Sequence, residues 1–393
     1  MGIDVGAVRA DTPAVADLVH LNNAGSSLPP VPVVEAVVGH LRLEARVGGY
    51  EAAERAEGLV EGFYTAVARM LGARPEEVAF VESATRAWEA GFGAVRLEAG
   101  DRVLTTTSEY PSNALGLVKA ARERGVRVEV VPDGPEGVVD LGALERELGR
   151  GGVRLVALNH MPTHNGLVNP VQEVGALCRA AGAVFLLDAC QSVGQWDLDV
   201  ERLGCDLLTG TGRKFLRGPR GTGFLYARAG ADLVEPAVVD VSSAHWVGEG
   251  EYRVRADARR FESFERSVAG QIGLGVAVDY AVALGLERVR ERVGALAEYA
   301  RERLGQVAGV RVLDRGAVRS GIVTFAVRGV PAEHVRAHLA GARVNVSVAR
   351  VWNQVWEPRE GVDEAVRASV HYFNTEEEVE VLVREVKERQ GRG

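Results

Sequence analysis

The sequence of 393 residues predicts an α/β fold, in which a mostly parallel seven-stranded sheet carries helices on both faces and a smaller α+β domain follows. Two observations support this prediction. From about residue 60, short apolar runs of strand length alternate with amphipathic stretches of helix length. After residue 226 this alternation stops, and longer helical patterns with scattered strand-like runs take its place.

The alternating part of the chain predicts βαβ units, whose parallel strands are buried on both faces. The predicted strands are Val78–Val81, Arg102–Leu104, Val126–Val131, Val153–Leu158, Ala183–Leu187, Asp206–Leu208 and Thr222–Tyr226. The predicted helices between them are Arg86–Val95, Asn113–Arg124, Leu141–Leu148 and Val171–Ala181. Sites in such folds form beyond the carboxyl ends of the strands, so the chemistry is expected there.

The rest of the chain predicts a second, smaller unit. Its predicted elements are helices at Ile272–Leu284, Leu286–Val307, Ala332–Leu339 and Glu376–Lys387, with strands at Gly321–Val327, Arg343–Val348 and Ala365–Tyr372. We therefore predict a large domain over residues 15–264 and a small domain over residues 265–393 together with residues 1–14. The polar stretch Ser242–Arg260 is predicted to be irregular.

Composition excludes several classes of function. A net charge of −8 argues against a nucleic-acid partner. The N-terminal stretch has no basic region before an apolar run, which excludes a signal peptide, and no stretch approaches the ~20 apolar residues of a membrane helix. Three cysteines without C-x-x-C pairs indicate neither a disulfide framework nor a zinc site. We expect a cytoplasmic protein without a metal or a membrane partner.

Two residues at strand ends indicate chemistry. Asp188 ends an apolar strand, where a carboxylate is costly without a partner; it either caps the next helix or meets a cation such as a protonated pyridine nitrogen. Lys214 lies in a Thr- and Gly-rich turn rather than on the charged helix face of a solvated lysine. In a dry pocket beside Arg213 its pKa would fall, and its amine could attack an aldehyde.

A third segment, Ser83-Ala84-Thr85, joins a predicted strand to a predicted helix. Hydroxyl and N–H groups at a helix N-terminus can bind phosphate, although an ordinary N-cap explains this segment when it is taken alone. A dinucleotide site is excluded, because Gly91-Phe-Gly93 lacks the third small residue and lies inside a helical pattern.

Taken in order, these segments resemble the class V aminotransferase group of fold-type I pyridoxal-phosphate enzymes, which includes cysteine desulfurases, isopenicillin N epimerases and cysteine-conjugate C–S lyases. The resemblance extends from His20-Leu-Asn-Asn-Ala-Gly25 to the segment 367–377 and so covers nearly the whole chain. It implies a fold-type I architecture, pyridoxal 5′-phosphate as cofactor and an amino acid as substrate. It also implies a homodimer with active sites at the subunit interface.

The resemblance also assigns roles to residues. It implies that Lys214 carries the cofactor as a Schiff base and removes the α-proton, and that Asp188 pairs with the ring nitrogen. The other implied cofactor contacts are Ala84, Thr85 and Thr211 at the phosphate, Tyr110 on the ring, Gln191 and Thr163 at the phenolic oxygen, and Arg213 beside the lysine. Arg367 is implied to bind the substrate carboxylate. Further candidates are Asn23 and Arg350 for the substrate, and His164, which is either an acid–base group or a packed loop histidine.

One departure from the group bears on the reaction. Desulfurases carry a catalytic cysteine on a loop of the C-terminal domain, whereas the corresponding stretch Val344–Trp352 has none, so sulfur mobilisation through a thiolate is not expected. Segments 42–53, 108–110 and 213–214 resemble ergothioneine-type sulfoxide lyases. The leading hypothesis is a β-eliminating C–S lyase acting on a cysteine conjugate or cysteine sulfoxide. An amino-acid epimerase of the isopenicillin N epimerase type and an aminotransferase are the alternatives; retention of Lys214, Asp188 and Arg367 argues against an inactive relative.

Overall fold

The computed structural model describes residues 2–350, 356 and 362–391. Its helices are α1 (Val5–Ala10), α2 (Val31–Val47), α3 (Gly49–Arg55), α4 (Glu57–Leu71), α5 (Ala84–Gly93), α6 (Pro111–Arg124), α7 (Leu141–Gly149), α8 (Val171–Ala181), α9 (Val200–Leu203), α10 (Val268–Leu284), α11 (Leu286–Gly305), α12 (Ala332–Gly341) and α13 (Glu376–Gly391). Short 3₁₀ helices lie at Pro13–Ala16, Pro75–Glu77 and Ala258–Phe261.

The strands comprise all seven that the alternating pattern predicts, together with shorter ones outside it. They are β1 (Val19–His20), β2 (Val78–Val81), β3 (Arg102–Thr106), β4 (Arg127–Val131), β5 (Val153–Asn159), β6 (Val184–Asp188), β7 (Leu207–Thr211), β8 (Gly223–Ala227), β9 (Ala244–Gly248), β10 (Glu251–Val254), β11 (Val310–Val312), β12 (Ile322–Val327), β13 (Val344–Asn345), β14 (Ser347–Arg350) and β15 (Glu364–Ser369).

The large sheet has seven strands in the order β2-β8-β7-β6-β5-β3-β4. Strand β8 is antiparallel to both of its neighbours, and the other pairs are parallel. The strand order differs from the order along the chain. Parallel neighbours need crossover connections, and helices on the two faces of the sheet make them. The predicted fold-type I α/β architecture is confirmed.

Both faces of the large sheet are buried, as its sequence pattern indicates. In β5, Val156 and Leu158 join one hydrophobic core, while Leu155 and Ala157 join the core on the opposite face. Successive side chains of a strand point to opposite faces, so an uninterrupted apolar run requires a cover on each side. Helix α4 contributes to the first core, and helix α5 to the second.

A second sheet of four antiparallel strands forms the smaller unit, in the order β11-β12-β15-β14. Its core includes residues of α11, α12 and α13. The N-terminal strand β1 pairs with β13, which attaches the start of the chain to this unit. Leu274 and Val278 of α10 nevertheless pack in the core of the large sheet. The domain boundary drawn at residue 265 stays a prediction.

The stretch Ser242–Arg260 differs from its prediction. Instead of being irregular, it contains the antiparallel hairpin β9–β10, in which Trp246 pairs with Tyr252. The turn between the strands contains Gly250 at φ +74°, a conformation that glycine adopts without strain. Both strands of this hairpin are largely exposed, so they lack the alternation of apolar and polar residues from which strands are usually predicted. In the loop Val344–Trp352, residues 351 and 352 lie outside the described residues.

In the described part of the chain, no single helix is long and apolar enough to cross a membrane. The pair α10 and α11 reaches the required length and composition only when combined, and its two helices meet at an angle of 79°.

Candidate active site

A pocket opens at the carboxyl ends of the parallel strands. Strands β5, β6 and β7 end at Asn159, Asp188 and Thr211, and parallel pairing brings these ends to one edge of the sheet. The lining residues are Ser83, Ala84, Thr85, Tyr110, Asn113, Asn159, Met161, Thr163, Asp188, Cys190, Gln191, Thr211, Arg213 and Lys214. The structure therefore brings together every residue predicted to contact the cofactor; their individual roles stay predictions.

Lys214 is buried in this pocket, three residues after β7 ends. Its Nζ atom lies 5.8 Å from the centroid of the Tyr110 ring. Burial lowers the pKa of Lys214 to about 8, the nearby guanidinium of Arg213 acts in the same direction, and the Asp188 carboxylate opposes them. A larger fraction of Lys214 than of an exposed lysine is therefore unprotonated at neutral pH, which is the form that attacks an aldehyde.

Asp188 is held through both oxygens. Oδ1 accepts a hydrogen bond from the backbone N–H of Cys190 at 2.9 Å, and Oδ2 accepts one from Asn113 Nδ2 at 2.9 Å. The residues after Asp188 form a turn, and the next helix is α9, which begins at Val200. Asp188 therefore does not cap a helix, and its carboxylate faces a pocket in which it can meet a cation.

Helix α5 begins at the wall of the pocket. Ser83 caps it, with Oγ accepting a hydrogen bond from the N–H of Arg86 at 3.2 Å. Gly223 of β8 allows the close approach, because a Cβ there would lie 3.0 Å from the backbone carbon of Ser83 and 3.2 Å from the nitrogen of Ala84. The first turn offers N–H groups without helical partners, contains no acidic residue and carries the positive end of the helix dipole, all of which suit a phosphate.

Arg367 extends from β15 of the smaller sheet to the segment after β5. Its Nη1 donates to the backbone oxygen of Thr163 at 2.9 Å and to Thr163 Oγ1 at 2.6 Å, and Gln191 Nε2 donates to the same hydroxyl at 3.3 Å. Arg367 Nε and Gln191 Oε1 are buried and have no partner among the described residues. Buried polar atoms without partners are costly, so this wall is suited to a ligand that both donates and accepts.

Two guanidinium groups, that of Arg213 in the pocket lining and that of Arg367, which contacts the lining through Thr163, have no carboxylate partner in the described part of the chain. Burial lowers the pKa of Arg367 to about 10, and Arg213 contributes to this shift. Arg213 donates from Nη1 to the backbone oxygen of Gly25. Within the described ranges, neither guanidinium forms an ion pair with Asp or Glu, so both remain available to an anionic substrate group.

A second cavity adjoins the pocket and shares Tyr110 and Thr163 with it. His164 and Arg350 line this cavity together with Arg367. The structure thus places His164 in this second cavity and not in the lining around Lys214, and its role as an acid–base group stays a prediction. Arg350 forms an ion pair with Glu333 at the edge of the cavity.

Asn23 is not placed to bind substrate. Its side chain is fully buried; Nδ2 donates to the backbone oxygen of Ser369 at 2.7 Å, and Oδ1 accepts from Ser27 Oγ at 2.7 Å. These hydrogen bonds hold the N-terminal segment against the smaller sheet, so the predicted substrate contact is wrong. The neighbouring Asn22 instead accepts a hydrogen bond from Arg367 Nη2 at 3.4 Å.

Four lining residues were missed from the sequence: Asn113, Asn159, Met161 and Cys190. Asn159 is a polar residue at the end of an apolar strand, and the signal that identified Asp188 would have found it. Cys190 carries no such signal, because a cysteine in apolar surroundings usually behaves as a small buried hydrophobe. Burial, reinforced by the Asp188 charge, raises its pKa well above the ordinary value, so Cys190 stays a thiol.

The polar groups that line this pocket fit pyridoxal phosphate. A buried amine faces the space where an aldehyde would react, a helix N-terminus can bind a phosphate, and a fixed carboxylate can pair with a ring nitrogen. The fold and the pocket thus fit an α/β enzyme that uses an aldehyde cofactor. The family model of class V aminotransferases matches residues 19–382, and the chain belongs to this family of pyridoxal-phosphate enzymes.

Known relatives agree with this assignment. A probable cysteine desulfurase of Methanothermobacter thermautotrophicus is 30% identical over 397 residues, with 98% of each chain covered. The apo structure of a cysteine desulfurase from Thermococcus onnurineus is 27% identical and superimposes with a TM-score of 0.89 over 99% of this chain and 98% of that one. A cystine C–S lyase, solved with its product cysteine persulfide, is 23% identical with a TM-score of 0.86, over 96% and 99% of the chains, which shows a shared fold.

Proposed function

We propose that the protein is a C–S lyase that splits S-substituted cysteines by β-elimination. One observation carries this proposal: the only cysteine that lines the pocket in the described part of the chain is Cys190, which is buried as a thiol. The stretch Val344–Trp352 holds no cysteine either. Without a thiolate to accept sulfur, the sulfur leaves together with its substituent. The names of the relatives, cysteine desulfurase and cystine C–S lyase, support chemistry at a cysteine C–S bond.

The residues of the chain account for binding and proton movement. Arg367 binds the substrate carboxylate in exchange for its contact with Thr163, which fixes Cα near Lys214. The Nζ atom of Lys214 takes the proton from Cα, and Asp188 stabilises positive charge at the ring nitrogen. When bound, pyridoxal phosphate withdraws the electrons that this proton leaves behind.

The elimination then balances as follows. The electron pair left at Cα forms a double bond to Cβ as the Cβ–S bond breaks. The electron pair of the broken bond leaves with sulfur, which takes up a proton as a thiol, or as a sulfenic acid when the substrate is a sulfoxide. Water hydrolyses the remaining three-carbon unit to pyruvate and ammonia. The second cavity, lined by His164 and Arg350, is the space into which the S-substituent extends.

A panel of S-substituted cysteines and cysteine sulfoxides tests this proposal. We expect at least one member to yield pyruvate and ammonia in equal amounts, and the Lys214→Ala variant to serve as the background. Exchange of the α-proton in deuterated water without a keto acid would instead assign an epimerase. Amino transfer to an added keto acid would assign an aminotransferase, and conversion of free cysteine to alanine rather than to pyruvate would assign a desulfurase.

We also propose that the protein forms a homodimer. The segment around the hairpin β9–β10 exposes several large apolar side chains: Val238, Val241, Trp246, Tyr252 and Phe264. Trp246 is 73% exposed, the highest value in this group. A cluster of exposed apolar side chains is typical of a protein–protein interface. This supports a second copy of the chain as the partner, consistent with the dimers that the family resemblance implies.

Solution mass tests the dimer. We expect light scattering to give twice the mass of one chain, and Trp246→Glu to shift the protein toward the monomer, because a charge would be buried at the interface. Val318→Glu, at another exposed apolar position, is the control and should leave the mass unchanged. A parent protein that is monomeric at every concentration would contradict the proposal.

A further inference from the structure

A buried carboxyl group lies behind the pocket. Glu109 is 2% exposed, and its Oε1 accepts three hydrogen bonds: from the N–H of Tyr110 at 2.7 Å, from Asn159 Nδ2 at 2.8 Å and from Asn113 Nδ2 at 3.0 Å. Thr105 Oγ1 donates to Oε2 at 3.2 Å. Four donors fix the position of this carboxyl group, which the reaction described above does not use.

Asn113 connects this carboxyl group to Asp188. Its Nδ2 atom donates to Glu109 Oε1 at 3.0 Å and to Asp188 Oδ2 at 2.9 Å, so each of its two N–H bonds has a carboxyl acceptor. The reverse orientation of the amide would place its oxygen against both carboxyl groups. Glu109 therefore determines which way the Asn113 amide points, and the amide holds one oxygen of Asp188.

The surroundings of Glu109 favour its neutral form. Burial and the nearby Asp188 charge raise the pKa of Glu109 to about 8, so at neutral pH most of Glu109 is protonated. A protonated Glu109 still accepts hydrogen bonds at Oε1, and its proton can face the Thr105 hydroxyl, which accepts as well as donates. A neutral Glu109 can lie beside Asp188 without placing a second negative charge in this buried region.

We propose that Glu109 and Asn113 form a positioning pair, in which Glu109 orients the Asn113 amide and the amide fixes the Asp188 carboxylate toward the cofactor ring nitrogen. This inference rests on the assignment of Asp188 to that nitrogen. Glu109 lines the second cavity rather than the pocket of Lys214, so it acts through Asn113.

A double-mutant cycle tests the pair, with two readouts on the non-reacting holoenzyme. One is the dissociation constant of pyridoxal phosphate, and the other is the ¹⁵N resonance of its labelled ring nitrogen, which reports protonation. We expect Glu109→Leu and Asn113→Ala each to weaken cofactor binding about tenfold, the scale of one hydrogen bond to a charged group. The double variant should be no weaker than either single variant.

Two further variants test whether the effect comes from the orientation of the Asn113 amide, from the charge of residue 109 or from general destabilisation of the protein. Glu109→Gln keeps an acceptor oxygen for Asn113 and should retain the parent resonance. Glu262→Leu removes another buried carboxyl group, which binds Phe80 N–H and Tyr64 but does not contact Asp188, and should also retain it. If Glu109→Leu does not fold, Glu109→Asp takes its place, because the shorter side chain withdraws the carboxyl group from Asn113. We expect it to weaken cofactor binding and to change the ring-nitrogen resonance in the same way.

Three results would overturn the pair: single effects that multiply in the double variant, a normal ring-nitrogen resonance in Glu109→Leu, or an equal loss in Glu262→Leu. Failure of the proposed lyase function is distinguishable, because it would appear in the parent protein as a lack of turnover on the panel, whatever these variants show.

Discussion

Replacing Lys214 with alanine is expected to abolish the covalent attachment of the cofactor and to lower turnover by about 10³-fold or more. The substitution removes both the amine that bonds to the aldehyde and the base that takes the α-proton. The visible absorbance of the lysine-linked cofactor should disappear. Borohydride reduction followed by peptide mass mapping should find the cofactor on Lys214 in the parent protein only.

The control for this experiment is simple, because the chain has three lysines: Lys119, Lys214 and Lys387. Lys119 is exposed and paired with Glu123 on helix α6, so Lys119→Ala should keep the absorbance and the turnover of the parent. A reduced adduct on another lysine, or undiminished turnover in Lys214→Ala, would contradict the assignment of Lys214.

Replacing Asp188 with asparagine is expected to lower turnover by about 10²–10³-fold, the scale of losing a preorganised electrostatic contact, while the bond to Lys214 still forms. Asparagine keeps the size of the side chain but removes the charge that holds the ring nitrogen protonated. Steady-state turnover and the absorbance of the lysine-linked cofactor, measured on the same sample, separate these two effects.

Asp206→Asn provides the matched control for Asp188→Asn. Asp206 accepts a hydrogen bond from Phe185 N–H just before β7, at the opposite end of the same sheet. Its replacement removes a carboxylate from the domain without approaching the pocket, so turnover should stay within a few-fold of the parent. Loss of the cofactor bond in Asp188→Asn, or turnover within tenfold of the parent, would refute the role of Asp188.

The sequence predicted the large sheet and most of the pocket, because strand ends are visible as the points where apolar runs stop at polar residues. Asp188 was found in this way, and Asn159 carries the same signal. The link from Glu109 through Asn113 to Asp188 was not predictable, because it depends on how helix α6 lies against the sheet. Asn23 was misassigned for a similar reason: its partners Ser369 and Asn374 are more than 340 residues away in the chain.

The contact between Arg367 and Thr163 has a consequence for how tightly substrates are held. Arg367 belongs to the smaller sheet and Thr163 to the segment after β5 of the large one, so in the absence of substrate the guanidinium already joins the two units. An incoming carboxylate exchanges one set of oxygens for another. The hydrogen bonds to Thr163 that the carboxylate must replace reduce the net affinity for the carboxylate, and this favours the release of substrate and product.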